Sequence, residues 1–181
     1  MRRVCVFCGS KAGLRDVYRD AAWELGRLLV ARNCGLVYGG GSVGLMGALA
    51  DSVLAAGGKV DGVIPDFLAT AELVHPGVDP MHVVSSMHTR KALMADLSDA
   101  FAALPGGYGT FEELFEVITW AQLGLHRKPI GLLNTGGYFN ACVGLIDHAV
   151  AEGFIHPEQR ALVMVAEEPA ELLSRLAAAV G

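Results

Sequence analysis

The sequence predicts an open, doubly wound α/β domain: a parallel sheet of about seven strands with helices on both faces. Three observations carry this. Short apolar runs and amphipathic segments alternate from one end of the chain to the other. The apolar runs are continuous, as strands covered on both faces are. Several of them end in glycine-containing turns that lead straight into helical segments.

Residues 4–7 read as the first strand, ending at Cys8-Gly9-Ser10. Residues 16–32 form an amphipathic helix, with Ala21, Leu25, Leu28 and Leu29 at helical spacing. The second strand, 35–38, runs into Gly39-Gly40-Gly41-Ser42-Val43-Gly44. A helix over 45–56 is stopped by Gly57-Gly58, and a third strand over 59–64 is closed by Pro65. Residues 66–80 have no clear period and contain Pro76 and Pro80. They read as a long loop with a short helix, the kind of connection that often carries function. The fourth strand covers 82–84, and Ser85 or Ser86 caps a helix running to Leu97. The fifth strand, 100–104, ends in Pro105-Gly106-Gly107-Tyr108-Gly109. Then come a helix over 110–125, a strand over 129–133, a helix over 138–151, a strand over 162–165 and a closing helix over 168–180. No linker, repeat or low-complexity segment interrupts the pattern, so a single domain over 1–181 is expected.

Composition removes several function classes. Apolar residues make up 52% of the 181 and charged residues 18%, which excludes a disordered chain. With 14 basic against 19 acidic side chains the net charge is −5. A nucleic-acid partner is not expected, because such affinity rests on Lys and Arg neutralising phosphates. No apolar stretch approaches the ~20 residues of a membrane span, and no signal peptide fits before the first strand. Cys5 and Cys8 form a CxxC, but strand alternation points them to opposite faces. The six histidines show neither HxxxH nor HxH. A reduced, cytoplasmic, metal-free protein is the expectation.

Ligands in such folds bind where strands end and helices begin. Glycine there lets a ligand approach the backbone, and the following helix offers free N–H groups to an anion. A phosphate-bearing ligand is expected, with Ser10, Gly41 and Ser42 as candidate contacts in the first two turns. Gly39-x-Gly41-x-x-Gly44 formally matches a dinucleotide fingerprint, but it follows the second strand, and the acid about 20 residues on, Asp61, falls mid-strand. No Lys-Ser/Thr follows either glycine loop, which disfavours ATP-dependent phosphoryl transfer.

Thr110-Phe111-Glu112-Glu113 reads as a capping box, with Thr110 at the N-cap and Glu113 at the third helical position. The functional alternative has Thr110 bonding a phosphate oxygen and Glu113 facing the ligand. Helical spacing gives a core stripe of Phe111, Leu114, Phe115, Ile118 and Gln122, with Glu112, Glu116 and Thr119 on one flank and Glu113, Val117 and Trp120 on the other. Apolar groups on more than one side suggest burial against a second subunit. In the preceding helix Arg90 shares a stripe with Leu93, Met94 and Leu97, so it needs a planar anion, a carboxylate or a phosphate.

These residues resemble a known family. Pro105-Gly106-Gly107-Tyr108-Gly109-Thr110-Phe111-Glu112-Glu113 matches the motif PGGxGTxxE. With Gly39 to Gly47 and Met87-His88-Thr89-Arg90-Lys91, it is similar to the Lonely Guy family over essentially the whole chain. That family comprises cytokinin riboside 5′-monophosphate phosphoribohydrolases, often labelled lysine decarboxylases. The resemblance implies a Rossmann-like fold and hydrolysis of the N-glycosidic bond of a nucleoside 5′-monophosphate. It implies no metal or organic cofactor, and homodimers with sites near the subunit interface. Arg90 and Glu113 correspond to the catalytic pair. Lys91, Gly107, Tyr108, Gly109, Thr110, Glu112, Thr119 and Glu72 correspond to substrate contacts, and Met87 lies beside them in the Arg-Lys motif. AMP is an expected further substrate. A general purine nucleotide nucleosidase and a non-catalytic nucleotide or pterin-cofactor carrier are the alternatives.

Overall fold

The computed structural model describes residues 1–70 and 73–180. Its strands are β1 (Arg3–Phe7), β2 (Gly35–Tyr38), β3 (Val60–Pro65), β4 (Met81–Val84), β5 (Ala100–Ala103), β6 (Ile130–Leu133) and β7 (Val163–Ala166). They form one sheet in the order β4-β3-β2-β1-β5-β6-β7, and every neighbouring pair is parallel. The helices are α1 (Asp16–Ala31), α2 (Gly44–Ala55), α3 (Met87–Asp96), α4 (Tyr108–Gln122), α5 (Asn140–Ala151), α6 (Pro157–Arg160) and α7 (Pro169–Ala179). Short 3-10 turns cover Asp66–Leu68 and Thr135–Gly137.

Strand periodicity explains the continuous apolar runs. In and just after β1, Val4, Val6 and Cys8 enter one core, while Cys5 and Phe7 enter the other. The first core is closed by α1, α2 and α7, through residues such as Leu25, Leu49 and Leu172. The second is closed by α3 and α4, through Met94, Leu114 and Val117. The two cysteines of the CxxC thus lie on opposite faces, and both are free.

The strand order places a topological switch point between β1 and β5. From there the chain winds outward in both directions, so the turns after these two strands diverge and leave a crevice at their carboxyl ends. Asp61 lies inside β3, where it pairs with Arg3 at 3.4 Å and His82 at 3.2 Å. It therefore serves the sheet and sits away from the strand end that a ribose-binding acid would need. Ser86, one of the two expected caps, accepts a hydrogen bond from the Thr89 amide at 3.1 Å. Helix α6 was not foreseen, although Pro157 at its first position and the reciprocal His156–Gln159 cap are local signals. Among the described residues no helix is long and apolar enough to cross a membrane.

Candidate active site

Helices α3 and α4 bring two cations against three carboxylates. Arg90 is 9% exposed, and two backbone carbonyls fix its guanidinium. Its Nε donates to Val63 O at 3.1 Å and its Nη2 to Gly39 O at 3.3 Å. The remaining Nη1 lies 3.3 Å from Glu113 Oε1 and 3.8 Å from the Met87 sulfur. A planar fork held on two sides presents its third side in one orientation. One residue on, Lys91 is equally buried, and its ammonium is bonded to Glu112 and, at 2.9 Å, to Glu116. Burial alone would lower the Lys91 pKa; the two glutamates outweigh it and hold the ammonium above its ordinary value.

Glu113 is 7% exposed. Burial pushes its carboxyl up to about 7, against the pull of Arg90, while the charges of Glu112 and Glu116 add to the rise. The Cys5 and Cys8 thiols are both raised by burial first and by the Glu113 charge second. They stay neutral.

The turn after β5 delivers α4 to this pair. Gly107 is the N-cap, with extended backbone at φ −101° and ψ −153°. Thr110 is therefore the third residue inside the helix and Glu113 the sixth, which corrects the expected capping box. The helix begins three residues earlier than such a box requires, and the Thr110 side chain inside it is packed on Gly106, where a Cβ would come within 2.0 Å of its Oγ1. The buried side of α4 is Thr110, Glu113, Leu114 and Val117, which corrects the expected stripe. Phe115 and Gln122 face outward, because the helix is turned to bring Glu113 to the guanidinium. No side chain caps α4, and among the described residues no loop hydrogen bond uses the amides of Tyr108, Gly109 or Thr110. Gly107, Tyr108 and Gly109 are exposed. Helix starts of this kind bind anions.

The turn after β2 is occupied by the chain itself. The Leu45 and Met46 amides at the start of α2 donate to Gly9 O at 3.0 and 3.3 Å. The Ser42 amide donates to Leu73 O, the His75 amide to Gly40 O, and Gly41 bridges Val74. His75 is buried and its Nε2 lies 3.1 Å from Asp51 on α2, which ties segment 73–75 down over the glycines.

The structure thus joins Arg90 to Glu113 and Lys91 to Glu112, with Gly107, Tyr108, Gly109 and Thr110 one turn away along α4. Thr119 lies on the Glu112–Glu116 flank, its hydroxyl donating to Phe115 O at 2.7 Å. Ser10 and Gly107 share a cavity of about 360 Å³ at the ends of β1 and β5, with Lys11, Tyr18 and Tyr138 in its wall. Gly41 and Ser42 belong to the strapped turn. Glu72 lies outside the described residues. A larger cavity of about 650 Å³ sits at the amino ends of β1, β2 and β3 and holds none of these residues. The reading of the sequence missed the Gly39 and Val63 carbonyls, which no side-chain pattern signals. It gave Glu116 no role, although i,i+4 spacing from Glu112 placed it on the same flank.

Comparison with known proteins identifies the family. A family model described as "Possible lysine decarboxylase" matches residues 46–176. Two proteins of Arabidopsis thaliana, each named cytokinin riboside 5′-monophosphate phosphoribohydrolase, are 55% identical over 175 residues. The match covers 97% of this chain and 82% and 81% of theirs. Among solved structures, a molybdenum cofactor binding protein from Rippkaea orientalis superposes with a TM-score of 0.74 at 20% identity, covering 99% and 98% of the two chains. The Moco carrier protein of Chlamydomonas reinhardtii gives 0.71 at 23%, covering 98% of each. At such identities these structures share the fold alone. The sequence relatives go further: the chain belongs to the Lonely Guy family.

Proposed function

We propose that the chain hydrolyses the N-glycosidic bond of cytokinin riboside 5′-monophosphates, releasing the free base and ribose 5-phosphate. The observation that carries the proposal is the buried Arg90–Glu113 pair, 3.3 Å apart and one helical turn past open amides. The 5′-phosphate rests on the Tyr108, Gly109 and Thr110 amides, with Gly107 giving it access. Lys91, Glu112, Thr119 and Glu72 contact the rest of the substrate, and Met87, Ser10, Gly41 and Ser42 lie around it. Because the phosphate is remote from the broken bond, its binding energy positions the ribose.

Bond cleavage builds positive charge on the ribose ring, as in glycoside hydrolysis. An ionised Glu113 stabilises that charge and orients or deprotonates the attacking water. Arg90 holds the carboxylate in place; a guanidinium is too weak an acid to serve as the general acid. Activity therefore rises with pH through the Glu113 ionisation.

Base release by chromatography tests this, using isopentenyladenosine monophosphate, AMP and the unphosphorylated nucleoside. Base should appear from the monophosphates only. Glu113→Gln should fold and lose at least about a hundredfold in kcat, and near-normal turnover would sink the assignment. A monophosphate that raises the Tm without base release would favour the carrier reading.

The active form is a homodimer in the cytoplasm with sites near the subunit interface. Phe115, Leu123 and Leu125, exposed by 37%, 68% and 70% at the outer side and end of α4, support a second copy there. Light scattering should return twice the chain mass; a monomer at micromolar concentration would contradict it.

A further inference from the structure

Three glutamates of α4 meet two cations of α3. Arg90 is paired with Glu113, and Lys91 with Glu112 and Glu116. With all five ionised, the cluster holds one negative charge more than it balances. Position decides where that charge is felt. Glu112 is 53% exposed, so water screens it. Glu116 is 22% exposed, and its Oε1 is bonded to Lys91. Its Oε2 is buried with no hydrogen-bond partner. Water does not reach that oxygen, and charge in a dry site acts at longer range than charge in water. Glu116 follows Glu113 by three residues, so the two lie side by side on the helix, where like charges repel.

We propose that Glu116 is a positioning residue: with Glu112 it fixes the Lys91 ammonium against α4, and it places a carboxylate with one dry, unpartnered oxygen beside Glu113. The activity test of this role rests on the phosphoribohydrolase reading above. Lys91 is thereby committed to two other carboxylates, and among the described residues Arg90 is the cation in ion-pair contact with Glu113. Glu113 feels the charges of Arg90 and Lys91 from α3 and of Glu112 and Glu116 from α4, and its own charge reaches the thiols of Cys5 in β1 and of Cys8 just after it. The thiols are neutral, so the balance lies with the five charged groups. Burial comes first in holding the Glu113 proton; Glu112 adds to it, and Glu116 adds a smaller share.

Glu116→Gln is the test, because it removes the charge and keeps an acceptor for Lys91. The acidic limb of kcat/KM should move toward acid by about 0.3 pH units. Activity at pH 6, relative to its plateau, should rise about twofold. Glu116→Asp, which keeps the charge, should leave the limb near its wild-type place. A Glu116→Gln limb that does not move, even with a lowered Tm, makes Glu116 a structural strut and overturns the proposal. The same midpoint can be followed without turnover, by 13C NMR of glutamate-labelled, substrate-free protein. The Glu113 signal is identified by its loss in Glu113→Gln, and an unchanged midpoint in Glu116→Gln again overturns the proposal. Failure of the wild type to release base would sink the phosphoribohydrolase reading and leave this titration decisive for Glu116. Should the glutamine variant not fold, Glu116→Ser serves in both measurements.

Discussion

The turns after β2 and β5 look alike as sequence, each a glycine cluster leading into a helix, yet their backbone groups have opposite fates. After β2, the first amides of α2 are bonded to Gly9 O, and segment 73–75 is strapped across the glycines. After β5, the first amides of α4 are open beside an exposed Gly107. Gly9 stands between the two turns, since its own amide donates to Pro105 O at 3.0 Å. Glycine in the first turn serves close packing of the chain on itself. In the second it serves approach from outside. A glycine motif therefore signals proximity of backbone to something, and the identity of that something is a tertiary fact.

Alanine substitution breaks this comparison most directly. Gly44 has φ +64°, and a Cβ there would lie 2.3 Å from Ser10 C and 2.5 Å from Lys11 N. Both obstacles are backbone and cannot move aside. Gly44→Ala should cost about 4 kcal/mol or more, read by denaturant unfolding. A Cβ on Gly39 would come within 2.0 Å of Arg90 Nη2, which is anchored by two carbonyls. Gly39→Ala should displace the guanidinium from Glu113 and lower kcat by about a hundredfold. At Gly107 a Cβ meets nothing within 4 Å. Gly107→Ala should change stability by no more than about 0.5 kcal/mol and act on KM alone. Equal destabilisation at Gly44 and Gly107 would erase the distinction.

Much of this was legible in the residues. The strands announced themselves as continuous apolar runs, and β1 showed why: Val4 and Cys5 serve opposite cores. Arg90 on an apolar stripe required a planar anion, and the structure supplies Glu113. The failures share one cause. Thr110-x-x-Glu113 has the spacing of a capping box, but the spacing cannot report that Gly106 lies against the Thr110 side chain. Apolar counting put Phe115 inside α4 and Glu113 on a flank. The buried guanidinium of a different helix reversed them, because an unpaired buried charge costs more than an exposed phenylalanine. Segment 73–75 docks on the backbone of Gly41 and Ser42, a tertiary contact that their spacing does not signal.

The open turn leads to a titrating group, and the strapped one does not, so pH sharpens the contrast. Glu113 titrates at about 7 in the folded chain, above the 4.5 of a free glutamate. A raised carboxyl pKa means that the folded state binds the proton more tightly than the unfolded state. Its stabilising contribution is complete below about pH 4.5 and is lost as pH rises through 7. Between pH 5 and 8 the wild type should lose on the order of 3 kcal/mol relative to Glu113→Gln. Parallel urea midpoints for the two proteins across that range would place the ionisation elsewhere.

The smallest expected effect bears most closely on the comparison. Hydrogen exchange of single amides should respond to a nucleoside monophosphate in one turn and not in the other. The Leu45 and Met46 amides already donate to Gly9 O, so their exchange is slow and a ligand can add little. The Tyr108, Gly109 and Thr110 amides lie at the start of α4 with no loop acceptor among the described residues, so they should exchange readily. A bound phosphate gives them charge-assisted acceptors, and exchange there should slow by about tenfold or more. Inorganic phosphate alone should protect the same three amides more weakly, because it lacks the ribose that the Arg90–Glu113 pair faces. Protection at 45–46 instead would move the phosphate to the turn after β2, and would require the Leu45 and Met46 amides to leave Gly9 O before anything binds.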